Sequence, residues 1–308
     1  MLFSRKNKQP AEKQLTEEQE LQRKVRMLEI KSKKLTNHIF TGEYHSAFKG
    51  RGMKFKEVRE YEEGDDIRFI DWNVSARSNN TYSKLFEEER EISIFLMVDS
   101  SASNMFGTHG QSKKMLIAEI CATLAFSAVR NNDKVGLLFF SDQIEKFIPS
   151  KKGKEHGLYL LRELINFKPT SAQTNIKLAL KYVNNISKNK HKSIIFILSD
   201  FVDDNYLDTL RIMSKRHEVI GIQVYDMHDN QLPDVGLLEV EDIETGNTVL
   251  VDTKNKTTQN IYNKQFQKIT GDTRETFKKA GAELLQVSTG QDFVKILHSF
   301  FIKRSKKQ

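Results

Sequence analysis

The most informative stretch of the sequence is ISIFLMVDSSAS, residues 92–103. Its first seven residues are almost purely apolar, which is typical of a strand that is buried on both faces of a sheet. The segment then reaches a carboxylate, Asp99, and three of the next four residues are serines. By themselves these residues leave two interpretations open: a helix cap or tight turn, and a binding site for a hard cation.

Strand-like and helix-like segments alternate from about residue 81 onward. The predicted strands lie at 81–89, 92–98, 135–140, 193–198, 217–225 and 282–287. The predicted helices lie at 112–131, 154–166, 174–188, 204–215 and 291–302. Uniformly apolar strands separated by helices indicate an α/β fold with a doubly wound, mostly parallel sheet. In residues 232–253, two alternating segments flank an ETGN turn and predict a β-hairpin at one edge.

The residues before the sheet differ in character from those that form it. Apolar residues at heptad-like spacing predict one long helix over 11–39, which packs on the main body or on a partner. These apolar residues are Leu21, Val25, Leu28, Leu35 and Ile39. The weak periodicity and several glycines of residues 40–80 indicate a second, small lobe. The predicted domains are a basic amphipathic helix at 1–36, the small lobe at 37–80, the α/β domain at 81–302 and a basic tail at 303–308.

The composition limits the class of protein. The hydrophobic fraction of 38% and the 20 Phe residues suffice for a real core. The single cysteine, Cys121, lies in an apolar helical stretch, so we interpret it as a core residue in a reducing compartment. The N-terminus has no apolar signal region, and no stretch approaches the ~20 apolar residues of a membrane helix. The sequence therefore predicts a soluble, cytoplasmic protein.

The net charge of +8 is unevenly distributed along the chain. Residues 1–34 carry ten Lys or Arg against five Glu, and the tail 303–308 adds four positive charges. No aromatic residues interleave these lysines as a nucleic-acid stacking platform would require, so we interpret the basic ends as solvated tails. Binding of nucleic acid or of an anionic membrane through these ends is an alternative function.

An acidic segment at 57–71 contains seven acids against Arg59 and Arg68. Its spacing is that of a polar turn, and we expect the acids to pair with Arg59, Arg68 and Arg77. The single tryptophan, Trp72, is expected to anchor this turn by packing. The favoured interpretation is a structural clamp between the lobe and the sheet, with a docking surface as the second use.

Three polar stretches fall where predicted strands end or where the following helices begin. In an open parallel sheet, ligands bind outside the carboxyl ends of the strands, near the point where strand order reverses. Two carboxylates and three hydroxyls there would form an all-oxygen set, which suits Mg²⁺ or Mn²⁺ better than Zn²⁺. The sequence therefore favours a metal site over simple caps. The candidate ligands are Asp99, Ser101, Ser103, Thr174 and Asp200.

This D-x-S-x-S…T…D series resembles the metal-ion-dependent adhesion site of von Willebrand factor A domains. Residues 42–77, GEYHSAFKGRGMKFKEVREYEEGDDIRFIDWNVSAR, resemble the signature of the bacterial "domain of unknown function 58" proteins, which carry such an A-like domain. The resemblance covers about 37–300. One departure is Phe201, which follows Asp200 where many A domains have glycine.

The resemblance implies ligand roles and a partner. The three hydroxyls would ligate Mg²⁺ (alternatively Mn²⁺ or Ca²⁺), and the two carboxylates would bind it directly or through water. The resemblance also implies partnership with a MoxR-type AAA+ ATPase or one of its clients, because family members lie beside such ATPases. An acidic residue of that partner would complete the coordination of the metal.

The resulting prediction is a non-enzymatic, metal-dependent protein-interaction module. HExxH, GxSxG and Walker motifs, which would indicate a zinc hydrolase, a serine hydrolase or an ATPase, are absent from the sequence. A Mg²⁺-dependent phosphohydrolase is a further alternative. Its candidate bases are Asp203, Asp204 and His109, none at a convincing spacing. For Asp203 and Asp204, the simpler expectation is that they cap helix 204–215.

Overall fold

The computed structural model describes residues 22–23, 25–32, 53–78, 80–88, 92–105, 112–187, 192–241 and 248–306. Of the helix predicted over 11–39, residues 22–23 and 25–32 are helical, and the remainder lies outside the described residues. Val25 and Leu28 are buried in the main hydrophobic core. Lys31 forms an ion pair with Glu119 at 2.6 Å. This helical segment therefore packs on the main body of the same chain.

The small lobe contains a two-stranded antiparallel sheet. Strand β1 (Met53–Glu60) pairs with β2 (Tyr82–Glu88), and the short helix α1 (Trp72–Ser75) lies between them in sequence. Residues 81–89 were predicted to form a strand of the main sheet. The structure corrects this, since β2 pairs with β1 and not with the central sheet.

The central sheet has six strands in the order β10-β7-β6-β3-β4-β5. They are β3 (Ser93–Asp99), β4 (Lys134–Phe140), β5 (Ile144–Lys151), β6 (Ile194–Ser199), β7 (Glu218–Tyr225) and β10 (Glu283–Ser288). Neighbouring strands are parallel except β5, which runs antiparallel to β4. The predicted α/β class with a doubly wound, mostly parallel sheet is confirmed.

Helices cover both faces of the sheet, because alternate residues of each buried strand point to opposite sides. On one face Ile94, Leu96 and Val98 pack with α2 (Lys113–Arg130), α3 (Lys154–Asn166) and α8 (Phe293–Ser305). On the other face Phe95 and Met97 pack with α4 (Ile176–Ile186), α5 (Leu207–Arg216) and α7 (Lys256–Ala280). Cys121 lies in the first of these cores, fully buried, and its burial raises the pKa of the thiol.

Two central elements were not predicted, β5 and α7. Strand β5 is an edge strand with only Ile148 buried and a proline in its sequence, so its apolar signal is weak. Helix α7 is 25 residues long but buries only Thr273, Phe277 and Ala280. Because most of this helix is exposed, its apolar residues are sparse, and their spacing does not reveal the helical period.

The predicted hairpin is present as β8 (Leu237–Glu241) and β9 (Thr248–Asp252), which pair antiparallel. The two strands form a sheet of their own, separate from the central sheet. The ETGN turn lies outside the described residues. The short helix α6 (Met227–Asn230) precedes the hairpin. Among the described helices, none combines the length and hydropathy that a bilayer crossing requires.

Candidate metal centre

The candidate site lies at the point where the order of the strands reverses. Strand β3 has β4 on one side and β6 on the other, and all three strands are parallel. Asp99 is the last residue of β3, and Asp200 directly follows the last residue of β6. The sheet therefore brings both carboxylates to the crevice where ligands bind in open α/β folds.

Asp99 is almost completely buried and lies at the centre of a hydrogen-bond network. Its Oδ1 accepts a hydrogen bond from the backbone N–H of Ser101 at 3.0 Å, and its Oδ2 accepts one from the Ser199 hydroxyl at 2.5 Å. Thr174 Oγ1 lies 3.5 Å from Asp99 Oδ1. Burial and the nearby charge of Asp200 raise the pKa of Asp99 to about 7, against the opposing hydrogen bonds. Two close, desolvated carboxylates favour a positive charge between them.

The serine hydroxyls lie on a loop that is hydrogen-bonded to neighbouring segments. Ser101 is fully buried, and its Oγ lies 3.1 Å from Ser103 Oγ. Ser100 uses both its N–H and its hydroxyl to bond the carbonyl of Phe140, at 2.8 and 2.9 Å. The Ala102 N–H donates to the carbonyl of Ala172 at 3.1 Å. Ser100 is thus engaged in holding the loop, while Ser101 and Ser103 lie side by side.

Thr174 lies just before α4, which begins at Ile176, two residues later than predicted. The N-cap is Asn175, whose side chain accepts a hydrogen bond from the Leu178 N–H at 2.9 Å. Because Asn175 performs the capping, the hydroxyl of Thr174 is left facing Asp99. Ala172 of the same loop is tied to Ala102, so the serine and threonine loops are held together.

The turn after β6 adopts an unusual backbone conformation at Phe201. Its φ of 60° lies in the left-handed region that favours glycine. The Phe201 ring is buried and packs edge-on against Phe277, with ring centroids 5.0 Å apart. Burial of the aromatic ring offsets the backbone cost. Phe201 thus adopts a left-handed backbone conformation although it is not glycine.

Asp200 is buried and is positioned from two sides. The Val202 N–H donates to its Oδ1 at 3.3 Å, and the Gln223 side chain donates to its backbone carbonyl at 3.0 Å. A buried lysine, Lys113, lies with its Nζ 3.9 Å from Asp200 Oδ2 and 2.9 Å from Asp229 Oδ2. Lys113 was not predicted as part of the site, because nothing in the sequence connects the start of α2 with the end of β6.

Asp203 does not cap the helix that follows it, and the prediction for it and Asp204 was wrong. Helix α5 begins at Leu207, and its N-cap Tyr206 makes no side-chain capping bond. Asp203 Oδ2 instead accepts a hydrogen bond from the Ile176 N–H at 2.7 Å. Burial raises the pKa of Asp203. The carboxylate joins the turn after β6 to the first turn of α4, which fixes the Thr174 loop relative to Asp200.

All five candidate ligands therefore lie in one region at the carboxyl end of the sheet. The described residues contain no group of three or more His, Cys, Asp or Glu side chains suited to a metal ion. The donor set here is different in kind, with two carboxylates and three hydroxyls. Such oxygens fit a hard cation in their chemistry. Their role as ligands stays a prediction.

The acidic segment 57–71 is stabilised by contacts within its own lobe. Arg59 pairs with Asp65 and Arg68 with Asp66, both at 2.6 Å, as expected. Asp71 caps α1 and pairs with Lys84 at 3.3 Å, a lysine that was not among the expected partners of the acids. The packing role predicted for Trp72 was wrong, because its side chain is 70% exposed. Hydrogen bonds and ion pairs hold this turn without it.

The strand order and the polar loops at its switch point define a doubly wound α/β domain with a ligand crevice at the carboxyl end of its sheet. The chain belongs to the family described as "Protein of unknown function DUF58", whose family model matches residues 57–271. Its expected membership is thereby confirmed.

Two relatives of this chain are bacterial proteins that are themselves described as uncharacterized. It is 28% identical to the uncharacterized protein Rv1480 of Mycobacterium tuberculosis over 91% of this chain and 88% of that protein. A shorter match, 28% identical over 35% of this chain and 25% of the relative, is to the uncharacterized protein YeaD of Bacillus subtilis.

Two solved structures resemble the chain in part. The hypothetical protein BatB of Bacteroides thetaiotaomicron aligns over 70% of this chain and all of its own, with 14% identity and a TM-score of 0.49. The SpRpn10 VWA domain aligns over 67% of this chain and 94% of its own, with 10% identity and a TM-score of 0.39.

Proposed function

We propose that this protein is a metal-dependent protein-interaction module. The observation that carries the proposal is the cluster of two buried carboxylates, Asp99 and Asp200, with the hydroxyls of Ser101, Ser103 and Thr174 at the switch point of the sheet. This cluster has the donor chemistry of a magnesium site, and the loops that carry it are tied together. No catalytic function is part of the proposal.

In this proposal the hydroxyls and carboxylates hold Mg²⁺, with Mn²⁺ and Ca²⁺ as alternative ions. The five protein oxygens would leave one of the six positions of an octahedral Mg²⁺ site open, and the metal would act there as a Lewis acid. A Glu or Asp side chain of a partner would therefore be favoured as a further ligand. The contribution of the site is binding strength and orientation.

The proposed partner is a MoxR-type AAA+ ATPase or one of its clients, and the proposed location is the cytoplasm. Support for the partner comes from membership in the family, because the members of this family lie beside such ATPases. The partner would contribute the acidic residue. Protein assembly or maturation is the process that such a pair would serve.

Thermal unfolding of the wild type and of Ser101→Ala/Ser103→Ala, in EDTA and with Mg²⁺, Mn²⁺ or Ca²⁺, tests the metal site. A ligand at 100 times its dissociation constant stabilises the folded state by about 2.7 kcal/mol. We expect this gain in the wild type and its loss in the double variant. Ser100→Ala is the matched control, because that hydroxyl is already bonded to the Phe140 carbonyl. If no divalent ion stabilises the wild type, the metal site does not exist.

The partner is tested separately with a purified MoxR-type ATPase from the same organism. We expect binding in Mg²⁺ that is lost in EDTA and in the double serine variant, while Ser100→Ala still binds. Equal binding in Mg²⁺ and EDTA would show that any such interaction uses another surface. That result would overturn the metal-dependent part of the proposal.

A further inference from the structure

The β8–β9 hairpin exposes an unusual number of large apolar side chains. Leu237 and Leu250 are 69% and 65% exposed, and Val249 and Val240 are also exposed. Such side chains are usually covered in a hairpin, because an isolated two-stranded sheet is only marginally stable in water. Within the described residues the hairpin pairs with no other strand. Its apolar surface is therefore available to a partner.

One face of this hairpin alternates leucines with acids. In the antiparallel register Leu237 lies opposite Asp252, and Glu239 lies opposite Leu250. Because side chains alternate between faces along a strand, these four share one face. Residues 232–253 contain six acids and no Lys, Arg or His. The partner of this face must therefore be both basic and apolar.

A surface of that chemistry lies elsewhere on the same chain, between the edge strand β10 and helix α8. A groove of about 430 Å³ there is lined by Leu285, Ile296 and Phe300, with Lys295 and Lys303 exposed beside them. Residues 293–308 contain no acid. Lys295 lies 3.6 Å from Asp292, but an exposed pair of this kind contributes little and leaves the lysine free to rearrange.

The charged groups of the two surfaces lie within reach of each other, and both surfaces have a strand edge. Lys295 and Lys303 are eight residues apart on a helix, roughly 12 Å. Glu239 and Asp252 are diagonal neighbours across the hairpin, roughly 7–8 Å apart, and the long lysine side chains can span the difference. Among the described strands β10 pairs only with β7, and β8 only with β9, so each presents an unpaired edge. Unpaired edges are ready templates for pairing between chains.

We propose that the acidic, apolar face of the hairpin docks into the β10–α8 groove of a second copy of this chain. The contact joins two different surfaces, so it is heterologous, and the copies add head to tail. Glu239 and Asp252 face the lysines, and the two leucines enter the apolar groove. This contact goes beyond the proposed metal-dependent function and does not use the metal site.

Sedimentation velocity in EDTA with two complementary variants tests this contact. Leu237→Ser/Glu239→Lys disables the hairpin, and Lys295→Glu/Lys303→Glu disables the groove. We expect the wild type to grow in mass with concentration and each variant alone to stay monomeric. An equimolar mixture of the two variants should form one heterodimer and nothing larger, because only one intact hairpin and one intact groove remain.

A third variant, Ile212→Ser/Lys154→Glu, is the matched control, since it changes an exposed apolar residue and an exposed lysine outside both surfaces. It should assemble like the wild type. Far-UV circular dichroism and the Mg²⁺-dependent thermal shift of each variant report whether the fold and the metal site survive. A monomeric wild type, or a mixture that stays monomeric with both variants folded, would overturn the proposal. Assembly of the hairpin variant alone would also overturn it.

Discussion

At the scale of single residues, the negative charge of Asp99 is electrostatically costly in the candidate site. It is buried beside a second carboxylate, and the hydroxyl of Ser199 and the N–H of Ser101 only partly compensate. The metal-free protein therefore gains stability when Asp99 holds a proton. A bound cation would remove the same cost without a proton.

The stability of the metal-free protein should consequently depend on pH through Asp99. Its pKa is raised to about 7 in the folded state, whereas the pKa of an unfolded Asp is about 3.9. The stability that this proton contributes is fully present below the unfolded pKa and is lost as the pH rises through the folded pKa of about 7. Urea unfolding in EDTA from pH 4 to 8 should show this loss, and Asp99→Asn should flatten it. An unchanged slope in the variant would contradict the assignment.

Lys113 is expected to act as an internal counter-ion of Asp200 when no metal is bound. Its side chain is buried at the first position of α2, where the helix dipole disfavours a positive charge, so its burial depends on Asp229 and Asp200. Lys113→Met should destabilise the protein in EDTA, toward the lower end of roughly 3–5 kcal/mol. It should also tighten Mg²⁺ binding, because a competing cation is removed.

Isothermal titration with Mg²⁺ and thermal unfolding in EDTA measure the two effects of Lys113→Met separately. Lys154→Met is the control, as this lysine is exposed. Weaker Mg²⁺ binding in a folded Lys113→Met protein would show that the lysine supports the metal site.

At the scale of elements, the N-terminal helical segment shows how one face of a helix joins a core. Val25 and Leu28 are buried in the same core as α2 and α8, whereas Met27 and Ile30 of the same segment are exposed. One face of the segment therefore packs on the core of the folded protein. Its exposed apolar residues do not contribute to that core.

Leu28→Ala should destabilise the protein by about 2–5 kcal/mol, as large-to-small core substitutions do. Met27→Ala, at 61% exposure, should change the stability by less than about 0.5 kcal/mol. Urea denaturation of the two variants provides the measurement. Equal effects would mean that the helical segment does not pack on the core through Leu28.

At the scale of the whole molecule, the sheet with its helices and the hairpin form separate structural units. The hairpin is closed at its base by the Thr253 N–H and hydroxyl, which both donate to the Gly236 carbonyl, at 2.8 and 2.7 Å. The chain ends on either side of the hairpin therefore lie next to each other. The central sheet does not depend on the hairpin for any strand pairing.

Replacement of residues 237–252 by a short glycine linker should therefore leave the fold intact. We expect circular dichroism and the melting temperature to change little, and any Mg²⁺-dependent shift to persist. Self-association should be lost, since the docking face is removed. A variant that unfolds would show that the hairpin supports the core, contrary to its separate hydrogen bonding.

Much of the fold was predictable because buried parallel strands appear in the sequence as apolar runs. The strands at 92–98, 135–140, 193–198, 217–225 and 282–287 were predicted within a residue or two of their observed bounds. The elements that were missed, β5 and α7, bury little surface. The prediction for Trp72 was wrong because a large aromatic residue need not be buried when polar contacts hold its turn.

The sequence by itself determined the type of fold, the family and the five oxygen-bearing residues of the candidate site, because local patterns and a continuous motif encode them. Only the tertiary structure decided which neighbours act on those residues. Ser199 bonds Asp99 from 100 positions away, and Lys113 approaches Asp200 from the start of another helix. The exposure of the hairpin's leucines and the groove at α8 are likewise properties of the folded chain. Contacts between elements depend on strand order and packing, and no local pattern in the chain records them.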